Sequence, residues 1–132
     1  MNNKVLIIDD DEELCMELRE ILLQEGYLVD VAYTGSHGQS LIAQGGFVAV
    51  ILDLKLPGLS GCEVLMYAKR CCGDLGVIVL SGRPLGDQVL HKDDVDDFIQ
   101  EQQALQLADA VMNKPVDVAE LIEKVRQCAQ FR

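Results

Sequence analysis

FVAVILDLKLPGLSG, residues 47–61, holds six apolar residues in a row, Phe47 to Leu52, and then Asp53. A short run this dense reads as a strand buried on both faces, as in a parallel sheet covered by helices. Pro57 and Gly58 are turn residues and end the run. Asp53 therefore belongs at the carboxyl end of a central strand, the edge where open α/β sheets bind ligands. The plainer reading makes Asp53 a residue that simply closes the strand, so the rest of the chain has to decide.

Upstream, Val5 to Ile8 is a short apolar run ending in Asp9, Asp10 and Asp11, a first strand with carboxylates at its end. Glu12 to Glu25 carries an apolar helical stripe at 14, 15, 18, 21 and 22, stopped by Gly26. Asp10 and Glu13 have capping-box spacing at its start. Tyr27 to Tyr33 reads as a second strand, and Thr34 to Gln44 as a weaker helix closed by Gly45-Gly46.

Downstream, Gly61 to Cys72 reads as a third helix ended by Gly73, and Val77 to Leu80 as a fourth strand ended by Ser81-Gly82. A helix is expected somewhere after Asp93-Asp94. Ala110 to Met112 is a fifth strand, followed by Asn113-Lys114-Pro115. Asp117 and Glu120, again at capping-box spacing, open a last helix with apolar residues at 118, 121, 122, 125, 128 and 129. Strands alternating with helices imply one parallel sheet with helices on both faces.

The 132 residues suit a single domain with a real core, spanning 1–132, with no output domain expected in the chain. Apolar residues make up 49% and mean hydropathy is +0.15, which excludes a disordered chain. A net charge of −11 argues against direct nucleic-acid contact and against anionic membranes, and favours a cationic ligand such as a metal. No apolar stretch approaches a membrane span or a signal-peptide core, so a cytoplasmic location is expected. Five cysteines without metal-type spacing read as reduced thiols, with Cys71 and Cys72 as ordinary helix residues.

Strand ends thus present Asp9 and Asp10, Asp53, Ser81 and Lys114 on one edge of the sheet. Each has a bland reading: a helix cap, a turn residue, a solvated lysine. Together they suit phosphoryl chemistry. Clustered carboxylates repel unless a cation compensates, and Mg²⁺ takes one or two carboxylates plus phosphate oxygens and water. Lys114 adds positive charge, Ser81 a hydroxyl donor, and Gly82 leaves room for phosphoryl oxygens. A carboxylate can itself be the nucleophile, giving an aspartyl phosphate.

With VLIIDD at 5–10, ILDLKLPGLSG at 51–61, VIVLSG at 77–82 and NKP at 113–115, the sequence resembles the receiver domain of two-component response regulators over nearly its whole length. The resemblance implies a doubly wound α/β fold with strand order 2-1-3-4-5. It implies that Asp53 is the phosphoacceptor, served by a sensor histidine kinase or phosphotransfer protein. It makes Asp9, Asp10 and Asp53 the Mg²⁺ (or Mn²⁺) ligands, with the backbone carbonyl of Lys55. Ser81 and Lys114 match the phosphate-binding switch residues, and Pro115 a proline whose preceding bond is usually cis. The chain would act on itself alone rather than as an enzyme, and would signal to a downstream output domain or protein.

Two positions depart from the family pattern. Val111 stands where the family usually has an aromatic residue that moves with the Ser/Thr, which puts the side-chain switch in doubt. The stretch between Ser81 and Lys114 is longer than the family norm by roughly ten residues. An extended or rearranged fourth-helix region is expected there, and with the last helix the 83–112 segment is the expected homodimer face. Asp93, Asp94, Asp96 and Asp97 read as a solvated cap, and His37 and His91 as surface residues. The alternative is a receiver-fold binding module that works without phosphorylation. An aspartate-nucleophile phosphatase is disfavoured by Lys55, where a second aspartate would stand. A dinucleotide site is disfavoured by acids in the first turn.

Overall fold

The computed structural model describes residues 3–56, 58–82 and 95–130. In chain order the elements are β1 (Lys4–Ile8), α1 (Glu12–Gln24), β2 (Leu28–Ala32), α2 (Gly35–Gln44) and β3 (Ala49–Asp53). There follow α3 (Gly61–Cys71), β4 (Gly76–Ser81), α4 (Val95–Leu105), β5 (Ala110–Asn113) and α5 (Val118–Gln130). All pairings are parallel and the strand order is β2-β1-β3-β4-β5, as expected.

The period-2 alternation of a strand sends successive side chains to opposite faces, and here both faces are covered. Leu6, Ile8, Val50, Leu52, Val77 and Val79 pack with Ile42 of α2, Val64 and Leu65 of α3, and Ala104 of α4. Val5, Ile7, Ile51, Ile78 and Leu80 pack on the other face with Leu18 and Leu22 of α1, and Leu121 and Val125 of α5. Every residue of β3 and β4 is buried, which is why the 47–52 run shows no polar positions.

Element ends differ from the sequence expectation where caps decide them. Asp11, not Asp10, caps α1: its extended backbone turns the chain and its carboxylate accepts the Leu14 N–H at 3.1 Å. That leaves Asp10 free of the cap. The first turn of α5 follows the expected pattern, with the Glu120 N–H donated to Asp117 Oδ1 at 3.1 Å. Phe47 and Val48 precede β3 rather than belonging to it, although both are buried. Helix α3 stops at Cys71 with Cys72 as its C-cap, so Cys72 is not a helix residue and Gly73 is not the terminator.

The helix expected after Asp93-Asp94 is α4, eleven residues long and packed against α3. The proposed extension before it, residues 83–94 with His91, Asp93 and Asp94, lies outside the described residues, as do the side chains of Asp96 and Asp97.

Candidate functional site

The parallel register delivers the strand ends side by side. Ile8 pairs with Leu52, Asp53 with Leu80 and Ser81 with Asn113, so the polar residues ending β1, β3, β4 and β5 share one edge. Asp9 follows β1 directly and is held by its backbone, its N–H donated to Ala32 O at 3.1 Å. Asp53 is the last residue of β3. Ser81 ends β4, and its carbonyl accepts the Lys114 N–H at 2.8 Å, tying the two strand ends together.

Asp9, Asp53 and Ser81 are buried, the only buried polar or charged residues among those described, while Asp10 is exposed. One carboxylate oxygen from each of Asp9, Asp10 and Asp53 lies within 4.8 Å of the others. Lys114 Nζ stands 3.0 Å from Asp9 Oδ2 and 3.4 Å from Asp53 Oδ2. Asp9 Oδ1 accepts the Asp11 N–H at 3.0 Å, and Asp53 Oδ1 accepts the Lys55 N–H at 2.9 Å. The Lys55 side chain is exposed.

Burial pushes the Asp53 carboxyl above the ordinary aspartate range; Asp9 adds to the rise, while the Lys55 N–H and Lys114 oppose it. Lys114 is pulled down by burial, but Asp9 and Asp53 outweigh this and hold it above the usual lysine range. A charged lysine thus faces two acids, of which Asp53 is held partly desolvated.

The donor set fits a hard divalent ion. Three carboxylates offer oxygen only, and Asp9 Oδ2 is buried with no hydrogen bond among the described residues, only the ion-pair contact with Lys114. Asp10 can face such an ion because Asp11 took over the cap.

Gly82 is exposed, and a Cβ there would meet no described atom. Val111 is half-buried and packs against the core cluster on the α4 face. The Lys114–Pro115 peptide bond is cis. A cavity of about 410 Å³ opens at the opposite edge of the sheet, lined by Gly76, Asp109 and Cys128, and touches none of these carboxylates.

Three supporting contacts involve residues outside the predicted set. The buried Cys15 thiol donates to the Asp9 carbonyl at 3.3 Å. A Cβ on Gly61 would run into the Asp53 carbonyl and Leu54 Cα, and one on Gly35 into the Leu59 carbonyl, so α3 and α2 close directly on the loop after Asp53. The glycines at helix starts were a signal for close approach; nothing in the sequence singled out Cys15.

Residues 5–126 match the family model described as the response regulator receiver domain. The chain is 32% identical over 124 residues to the uncharacterized transcriptional regulatory protein YkoG of Bacillus subtilis, covering 92% of this chain and 49% of that one. It spans about half the length of the curated relatives it matches. Among solved structures it is similar to a CheY-like receiver domain protein of Methanospirillum hungatei, with TM-score 0.82, 27% identity and coverage of 99% and 97% of the two chains. It is also similar to TrrA of Thermotoga maritima, a response regulator solved in complex with Mg²⁺-BeF, with TM-score 0.76, 28% identity and coverage of 96% and 98%.

Proposed function

The chain belongs to the response regulator receiver domain family, and from that premise we propose that it is a phosphoacceptor switch in which Asp53 takes a phosphoryl group from a phosphohistidine on a sensor kinase or phosphotransfer protein. The observation that carries this reading is the convergence of Asp9, Asp10 and Asp53 within 4.8 Å, with Lys114 against two of them. A purely structural role would leave the buried Asp9 and Asp53 sharing the single charge of Lys114 as compensation for their desolvation.

In the proposed transfer a carboxylate oxygen of Asp53 attacks phosphorus. The phosphorus–nitrogen bond breaks, the phosphorus–oxygen bond forms, and the imidazole leaves with a proton. Asp9, Asp10 and Asp53, with the Lys55 carbonyl, would hold Mg²⁺ or Mn²⁺, which when bound neutralises charge on the phosphoryl oxygens. Lys114 pairs with the phosphorylated side chain, and the Ser81 hydroxyl donates to a phosphoryl oxygen. The raised basicity of Lys114 keeps it charged for that pairing. The reaction is confined to the chain's own aspartate, so it is not an enzyme acting on other molecules. Its effect would reach an output domain or protein through the face formed by α4, β5 and α5.

A second reading, binding without phosphorylation, is favoured by one observation. Val111 is too small to swing as an aromatic would, and it stays packed on the core.

The test is intact mass after incubation with Mg²⁺ and a small acyl phosphate, with Asp53→Asn alongside. One added phosphoryl group on the parent, lost on chelating Mg²⁺ and absent from the variant, is the expected result. No gain from the acyl phosphate and none from phosphohistidine donors would leave the phosphate-independent reading.

A further inference from the structure

Cys71 and Cys72 stand at the far end of α3 from the acidic site. Cys71 is the last residue of the helix and exposed; Cys72 is its C-cap and half-buried. Their sulfurs are 3.4 Å apart, with the Cys72 thiol donating to Cys71. Both line an open cavity of about 310 Å³, shared with Ile42, Gly45, Gly46, Phe47 and the 73–75 stretch that includes Asp74. Two thiols are therefore presented side by side at an open pocket, and the phosphoryl chemistry uses neither.

The spacing discriminates among what such a pair can do. Adjacent Cα atoms across a trans peptide are about 3.8 Å apart, below the roughly 4.4 Å lower limit of ordinary disulfides. Joining the sulfurs directly would strain the helix end. A linear two-coordinate centre with sulfur bonds of about 2.3 Å would need sulfurs about 4.6 Å apart. A tetrahedral angle needs about 3.8 Å on the same bond length, and a narrower angle brings the sulfurs closer still. The free thiols stand 3.4 Å apart, so one atom bridging them at a narrow angle, as a pyramidal centre does, asks the least movement of the two side chains.

A structural zinc site is disfavoured, because it needs four protein ligands. Asp9, Asp10 and Asp53 form the only cluster of three or more metal-ligating residues found among the described residues.

We propose that Cys71 and Cys72 form a dithiol chelating site for a trivalent thiophilic metalloid of the arsenite class. With arsenous acid the step balances without a change of oxidation state. Two arsenic–oxygen bonds break, two arsenic–sulfur bonds form, and the two thiol protons leave with the departing hydroxides as two waters. The third arsenic hydroxyl stays and faces the cavity. Soft sulfur ligands select such elements over the hard cations suited to Asp9, Asp10 and Asp53. The two sites sit at opposite ends of α3, about 15 Å of helix apart, so each can be removed without the other.

The experiment adds sodium arsenite to the reduced full chain, followed by intact mass under non-denaturing conditions and by alkylation mapping of protected thiols. The expected result is one arsenic per chain, with Cys71 and Cys72 protected. Cys71→Ser and Cys72→Ser should each weaken binding at least tenfold. Cys62→Ser, Cys128→Ser and Asp53→Asn should bind as the parent does. A small dithiol should strip the arsenic where a monothiol at equal concentration does not. Arsenic retained equally by Cys71→Ser or by Cys72→Ser, protection mapping to other cysteines, or no arsenic on the parent would overturn the proposal. Both positions are at least partly exposed, and circular dichroism of each variant establishes that it is folded.

Discussion

Lys114 lies 3.0 Å from a fully buried aspartate and 3.4 Å from a second one. Taking away the cation of such a group leaves buried charge uncompensated, which costs 3–5 kcal/mol when both partners are buried. A quarter of the Lys114 side chain meets solvent, so the expected loss for Lys114→Met is smaller, about 2 kcal/mol without Mg²⁺. Urea unfolding with and without Mg²⁺ checks this, and saturating Mg²⁺ should recover much of the loss. Cys15 offers a second test at this scale. Burial first, then the charge of Asp9, pushes its thiol from 9.0 up to about 12. Between those values the unfolded chain has released a proton that the folded chain retains. Stability from this group is complete below the unfolded value and is lost as pH rises through the folded one. Cys15→Ala should show a shallower decline in denaturant midpoint between pH 9 and 12 than the parent. In the folded parent, Cys15 should stay unalkylated at pH 8 while Cys71 reacts.

Helices α2 and α3 hold the loop after Asp53 through positions that have no side chain. At Gly61 the obstructing atoms are backbone, which cannot swing aside. Gly61→Ala should therefore push α3 off the loop, at about 1–3 kcal/mol of stability. Phosphorylation by an acyl phosphate should slow as well, since Asp53 moves with its own carbonyl. Stopped-time intact mass and thermal unfolding read the two effects separately. On the opposite edge, Asp109 at the entrance to β5 ties three elements together. Its Oδ2 accepts from Lys69 of α3 and, at 2.7 Å, from the Val77 N–H of β4. Asp109→Ala leaves that N–H unsatisfied and should cost about 1–2 kcal/mol. Lys69→Met should cost less: it removes the partly exposed ion pair and a hydrogen bond to the Leu75 carbonyl, but leaves the Val77 N–H bonded to Asp109. Chemical denaturation of the two variants tests the ordering.

For the whole molecule, a cation held at the acidic edge would link binding to folding. A ligand that binds only the folded state adds about 1.4 kcal/mol at ten times its Kd. The melting temperature should thus climb with Mg²⁺ and return on chelation, and Asp9→Asn should flatten the response in a thermal scan. No helix among the described residues is long and apolar enough to cross a membrane, in line with the hydropathy of the sequence. The sequence by itself determined the βα alternation, because buried parallel strands must be continuous apolar runs and helices must show a stripe. It also marked Asp9, Asp10, Asp53, Ser81 and Lys114, because each follows or ends such a run. Strand order came from the resemblance and not from periodicity, which carries no information on which strands are neighbours. Only the tertiary structure decided that Asp11 rather than Asp10 caps α1, since a cap depends on backbone angles one residue apart. Only it placed Lys114 between two carboxylates, seated Cys15 beneath Asp9 and set two neighbouring sulfurs 3.4 Å apart. Those are distances between side chains, fixed by packing, and a one-dimensional pattern does not contain them.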